Sequence, residues 1–259
     1  MVTGFDRLPP MKRQVFLLML LLATRALAGG AEVFATASNI FARAVVVCYR
    51  HRNVPGAEQI KTNAQGGFLS TNDCSGFVSY VLAQCAPHAL AIVQARETKD
   101  KHPHARTYAE FFQSLATNRT AHGWQAIASW RDLKMGDIIA WASSPRTDEA
   151  GKIHRSGHVS IVAEPPGAPQ METVAGKSEK FITVRVLDSS SVKHFSPEDF
   201  PPHANQTERN GLGFGNIRLW LDEHDQPIGY WEGTWWGEGK KNIGHPSHGT
   251  ALGFGRVVD

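Results

Sequence analysis

Thr71-Asn72-Asp73-Cys74-Ser75-Gly76-Phe77 is the stretch on which the reading of this chain turns. Asn72 and Asp73 are both natural helix caps, and Phe77, Val78, Val81, Leu82 and Cys85 follow at helical spacing. A helix is therefore predicted to open near Cys74, with Pro87 expected to close it. A thiol at a helix N-terminus faces the positive end of the helix dipole, which favours thiolate over thiol. Such a sulfur is a candidate nucleophile. It needs a base within reach and a group that holds the base in one tautomer.

Downstream of Leu133 the apolar period changes from helical to alternating. Lys134-Met135-Gly136-Asp137 has turn composition and leads into a predicted strand, Ile138 to Trp141. A loop from Ser143 to Ser156 precedes a second strand, His158 to Ala163. A third runs from Phe181 to Asp188, with Ile182, Val184, Val186 and Asp188 on one face. His158 is the candidate base and Asp188 the candidate orienter, because neighbouring antiparallel strands would bring them together. The backbone N–H of Cys74 is a candidate oxyanion donor.

Upstream, Val33, Phe34, Ala37, Phe41, Ala44, Val45 and Cys48 predict a helix over Ala31 to Tyr49. Arg50 to Gly67, with Pro55-Gly56 and Gly66-Gly67, is predicted as loop, and Tyr108 to Leu115 as another helix. Beyond a polar loop from Ser189 to Asn210, strands are expected near Asn216 to Leu221, Ile228 to Trp236 and Ala251 to Val258. Asp222 to Pro227 would join the first two as a hairpin. Helices first and an antiparallel run of strands afterwards predict an α+β fold, with N-terminal helices packed on an antiparallel sheet.

Leu-Gly-Phe-Gly occurs at 212–215 and again at 252–255, and both copies are read as glycines admitting close backbone approach. Gly211-Leu212-Gly213-Phe214-Gly215 lacks the strand-before, helix-after setting of a phosphate loop. Trp220, Trp231, Trp235 and Trp236 give residues 211–259 a Gly- and Trp-rich character. Covering a sheet is the favoured use of these rings, with sugar stacking the alternative.

With 259 residues, 42% hydrophobic, 20% charged and a net charge of +3, the chain is long enough for one substantial core and lacks the basic, aromatic-interleaved runs of a nucleic-acid binder. Lys12-Arg13, the apolar run Val15 to Ala23 and Ala26-Leu27-Ala28 have the layout of a secretory signal over residues 1–28, followed by one domain over 29–259. An N-terminal membrane anchor is the alternative, and stable membrane insertion after cleavage is not expected. Export admits disulfides, so Cys48 and Cys85 either form a bridge or remain two buried thiols beside Cys74. His224, His245 and His248 lack the Cys or carboxylate partners of a metal site. Asn118-Arg119-Thr120 and Asn205-Gln206-Thr207 fit the glycosylation sequon at a frequency chance supplies.

Three motifs stand in order: Asp73-Cys74-Ser75-Gly76-Phe77, Gly136-Asp137-Ile138-Ile139 and Gly157-His158-Val159-Ser160-Ile161-Val162. Over roughly Gly66 to Asp188, about half the chain, they resemble the NlpC/P60 superfamily of cell-wall cysteine peptidases. The resemblance implies a papain-like α+β fold, with Cys74 as nucleophile, His158 as base and Asp188 as the third residue. It implies amide hydrolysis in peptidoglycan stem peptides without a cofactor, in a periplasmic, secreted or wall-associated setting. It also implies that Asp73 and Ser75 bind the substrate's amine, and that a tyrosine upstream of the motif assists, for which Tyr49 is the candidate. The chain departs from the family where the third residue is often His, with His194 as the alternative here, and lacks the usual Tyr-x-x-Gly-Gly before the cysteine. Two other readings use the same residues differently: a non-catalytic wall- or glycan-binding module, and an acyltransferase built on Cys74 and His158.

Overall fold

The computed structural model describes residues 29–51, 59–98, 100, 102–115, 120–142, 146–147, 153–154, 157–174, 176–191, 197–204, 210–232 and 251–258. The signal segment, His194, His245, His248, Trp235, Trp236, Asn118 and Asn205 lie outside them.

Helix α1 (Gly30–Arg43) buries Val33 and Ala37, as predicted, together with Ile40, which lies outside the predicted set, while Phe34 and Phe41 are half-buried. It stops well short of Tyr49. At Ala44 the backbone turns extended (φ −69°, ψ 128°), and Ala44–Tyr49 forms strand β1. The reason is local: Val45-Val46-Val47 is a β-branched run that a sheet accommodates better than a helix. Strand β2 (Gln59–Thr62) falls within the stretch read as loop. It pairs antiparallel with β3 (Phe68–Asn72), whose other edge pairs in parallel with β1, giving the order β1-β3-β2.

Helix α2 (Cys74–Cys85) begins one residue after β3, as the sequence predicts. Pro87 does follow its end, and it also occupies the first turn of α3 (Pro87–Gln94), where a missing N–H costs nothing. Helix α4 (Ala105–Ser114) starts three residues before the predicted Tyr108.

The remaining strands are β4 (Thr120–Ala121), β5 (Trp124–Ala126), β6 (Ile138–Ala142), β7 (Arg146–Thr147), β8 (Ile153–His154), β9 (Gly157–Val162), β10 (Gln170–Val174), β11 (Lys177–Ser190), β12 (Gly211–Leu221), β13 (Pro227–Glu232) and β14 (Ala251–Val257). All but β7 and β8, which pair with each other, make one antiparallel sheet ordered β13-β12-β11-β9-β6-β14-β5-β4, with β10 also on β11. The fold is α+β, helices packed on a mostly antiparallel sheet.

Alternation gives this sheet two buried faces. Ile138, Ala140, Val159, Ile161, Leu187 and Leu212 pack with α1, α2 and α4. Ile139, Trp141, Val162, Ile182, Val184, Val186, Ile217 and Leu219 form a second core on the opposite face. The C-terminal stretch, read as an extension, is built into the sheet: β12 pairs with β11 along eleven residues, and β14 lies between β6 and β5. Trp220 is 2% exposed with its ring edge-on to Phe181, the sheet-covering use. The close approach expected of the second Leu-Gly-Phe-Gly is real, since a Cβ at Gly255 would fall 2.2 Å from the Phe112 ring of α4. Gly136, at φ +87°, completes the turn into β6, and a Cβ there would sit 1.6 Å from the Gly30 carbonyl oxygen.

Candidate active site

Helix α2 is aimed by its cap. Asp73 Oδ1 accepts from the Gly76 N–H at 2.8 Å and from the Ser75 hydroxyl at 2.9 Å, satisfying donors of the first turn. Asp73 is therefore the cap, and Asn72 ends β3. Cys74 is 6% exposed and belongs to the helix-side core with Phe77, Val159 and Leu187. Asp73 and Ser75, expected to bind substrate, are also buried, and their side chains meet each other across the cap.

His158 and Asp188 do come together. Nε2 of the imidazole lies 2.6 Å from Asp188 Oδ2, with both side chains almost completely buried. The separation is that of a charge-assisted hydrogen bond. The Trp141 ring lies 5.1 Å from the imidazole and in turn stacks on Tyr230 at 4.1 Å. With Nε2 directed at the carboxylate, Nδ1 is the ring nitrogen that looks elsewhere.

One cross-strand contact ties this pair to the cysteine. Ser189, the residue after Asp188, donates its hydroxyl to the carbonyl of Asn72 at 2.9 Å. The N-terminus of α2 and the end of β11 are thereby fixed side by side. The side chains leave their backbones on different faces, however. In β9, Val159 and Ile161 turn toward the helices, so His158 shares the face of Trp141, its partner in register. Asp188 follows Val184 and Val186 onto that same face, as the sequence predicts. The β9–β11 ladder consists of Val186 opposite Val162 and Leu187 opposite Ile161. His158 and Asp188 lie past its end, with the imidazole on the Trp141 face of the sheet and the Cys74 side chain in the helix-side core.

Asp137, the Asp of the Gly-Asp turn, holds the sheet together. Its carboxylate is fully buried and takes Arg256 Nε and Nη2 of β14, each at 2.7 Å, and the Lys134 N–H at 2.7 Å. Burial raises the Asp137 carboxyl above its ordinary value, while the guanidinium and the Lys134 N–H pull it down; Asp137 in turn raises Arg256. The turn is legible in the sequence, but its partner, 119 residues away, is not.

Cys48 and Cys85 are two separate thiols, not a bridge: Cys48 Sγ donates to the Tyr49 carbonyl and Cys85 Sγ to that of Val81. Burial, followed at a distance by the Glu32 charge, pushes the Cys85 thiol up against the pull of its hydrogen bonds. Tyr49 sets its ring edge-on to His51. Among the described residues no group of His, Cys, Asp and Glu could hold a metal ion, and no helix is long and apolar enough to cross a membrane. Sequence reasoning missed Ser189 and Asn72, both in stretches assigned only to a loop or a cap; a Ser directly after a strand's functional Asp was the available signal. The chain matches no protein-family model, no curated protein and no solved structure.

Proposed function

We propose that the chain is an exported cysteine hydrolase of NlpC/P60 type that cleaves amide bonds in peptidoglycan stem peptides. The observation that carries the proposal is the buried 2.6 Å pair of His158 and Asp188 at the end of the sheet to which Ser189 ties the start of α2. A carboxylate on Nε2 fixes the tautomer and stabilises an imidazolium, which is the orienting role such a base requires. Nδ1 is then the nitrogen that serves the thiol.

In this mechanism Nδ1 takes the Cys74 proton and the sulfur attacks the amide carbonyl carbon. The oxyanion is received by the backbone N–H of Cys74 at the start of α2. As the intermediate collapses, the C–N bond breaks and the imidazolium returns its proton to the leaving amine. Water, deprotonated by His158, then releases the acid from the thioester. Asp73, which also caps the helix, and Ser75 hold the substrate's free amine beside the nucleophile. No cofactor enters the reaction.

One observation favours a second reading. Alternation in β9 directs His158 to the Trp141 face, away from the core that holds Cys74, which would suit a non-catalytic wall-binding module on the same fold. Hydrolysis separates the two. Wild-type chain is expected to release stem-peptide fragments from purified sacculi, identified by mass spectrometry, and Cys74→Ala is expected to release none while keeping its fold. Release by Cys74→Ala at the parent rate would refute the assignment. Transfer of the acyl group to an added amine instead of water would identify an acyltransferase.

A further inference from the structure

The β1-β3-β2 sheet and the large sheet share no ladder, yet α2 departs from the first while His158 and Asp188 belong to the second. Only Asp73 separates the end of β3 from Cys74, so whatever holds Asn72 also holds the nucleophile. Contacts cross between the ends of the two sheets here. Ser189 Oγ donates to the Asn72 carbonyl at 2.9 Å, and the Tyr49 N–H of β1 donates to Asn210 Oδ1 at 3.2 Å. Gly211, at φ +100°, lies against β1 so closely that a Cβ there would fall 2.8 Å from the Cys48 nitrogen. Ser189, Asn210 and Gly211 all stand where β11 ends or β12 begins. The roots of the β11–β12 connection therefore grip the strand ends from which α2 starts.

Ser189 is set apart by its neighbour. It is fully buried and follows Leu187 onto the helix side, whereas Asp188 turns to the other face and meets His158. Adjacent residues of one strand thus carry the carboxylate that orients the imidazole and the hydroxyl that holds the start of α2. The Asn72 carbonyl also accepts from the Arg50 N–H at 3.3 Å, so losing the hydroxyl would not leave it unbonded.

We infer that Ser189 is a positioning residue, whose hydroxyl sets the place of Cys74 relative to His158 and Asp188. The inference rests on the hydrolase reading and adds to it a residue that acts through the Asn72 carbonyl. Small misplacements of a reacting group are costly, about 10²-fold in rate for about 1 Å.

The test is iodoacetamide labelling of Cys74 across roughly pH 5 to 9, with Cys85 as the internal control and sites assigned by peptide mass spectrometry. The chains compared are the parent, Ser189→Ala, Ser189→Thr, His158→Gln and the double variant of Ser189→Ala with His158→Gln. Ser189→Ala is expected to slow Cys74 by about tenfold near neutral pH and to leave Cys85 unchanged. Ser189→Thr, which keeps the donor, is expected to stay within about threefold of the parent. In the His158→Gln background Ser189→Ala should bring no further loss, because no base is left to align. Parent-like labelling of Ser189→Ala beside slow labelling of His158→Gln would overturn this inference and leave the hydrolase reading standing. So would equal slowing by Ser189→Ala in both backgrounds, the result expected of a residue that only supports the fold. A parent rate in His158→Gln would sink the hydrolase reading, and this inference with it.

Discussion

At the residue scale, Asp188 makes the sharpest demand of the proposed mechanism. Its carboxylate is nearly sealed from solvent and directed at one imidazole nitrogen. Asn in its place keeps the shape but offers the wrong charge and promotes the wrong tautomer. We therefore expect Asp188→Asn to lower kcat by roughly 10²- to 10⁴-fold with KM near that of the parent, measured on a soluble stem-peptide amide. An unchanged kcat would leave Asp188 a structural residue. This candidate was legible in the sequence because period-two alternation placed Asp188 on a face with Val184 and Val186, and the second core has that face. What alternation along one strand could not give was the orientation of β9 relative to α2, which depends on the register of β6 against β9. That register turns Val159, and not His158, toward the helices.

At the element scale, the contact between Asp137 before β6 and Arg256 on β14 decides whether the C-terminal strand stays inside the sheet. Removing the guanidinium leaves a buried carboxyl with one backbone donor, so Arg256→Met is expected to cost about 3 kcal/mol or more. The sign with pH follows from the raised Asp137. A carboxyl raised on folding contributes stability that is complete below its unfolded value and is lost as pH rises through its folded value. Arg256→Met removes the main downward pull on that value, so the loss becomes larger and extends to higher pH. Urea denaturation from pH 4 to pH 8 should show the gap between variant and parent widening as pH rises; a constant or narrowing gap would count against it. Asp225, in the β12–β13 turn, has the opposite sign. Lys180 and then Arg131 lower it, so its contribution is lost as pH falls through its folded value. The helix over Ala31 to Tyr49 was overextended because helical spacing of apolar residues continues through Ala44, Val45 and Cys48. Only pairing with β3, remote in sequence, shows that the valine run belongs to a sheet.

At the scale of the whole molecule, segregation of the helices on one side of an antiparallel sheet was legible from the change of apolar period near Leu133. The insertion of β14 between β6 and β5 was not, since nothing within Ala251–Val257 announces which neighbours it takes. Its glycines were the one clue, and Phe112 of α4 occupies the space they leave. The result places the start of α2, the end of β11 and the start of β9 at one end of the molecule, with the ladder between β9 and β11 already finished. The account depends on the sulfur and the imidazole meeting beyond the end of that ladder, and chemical labelling reads this without any assumption about substrate. We expect iodoacetamide to alkylate Cys74 near neutral pH faster than Cys85, whose thiol burial pushes up, with sites assigned by peptide mass spectrometry. His158→Gln should slow Cys74 by at least about tenfold and leave Cys85 unaffected. Equal Cys74 labelling rates in parent and variant would contradict the claim that His158 serves this sulfur.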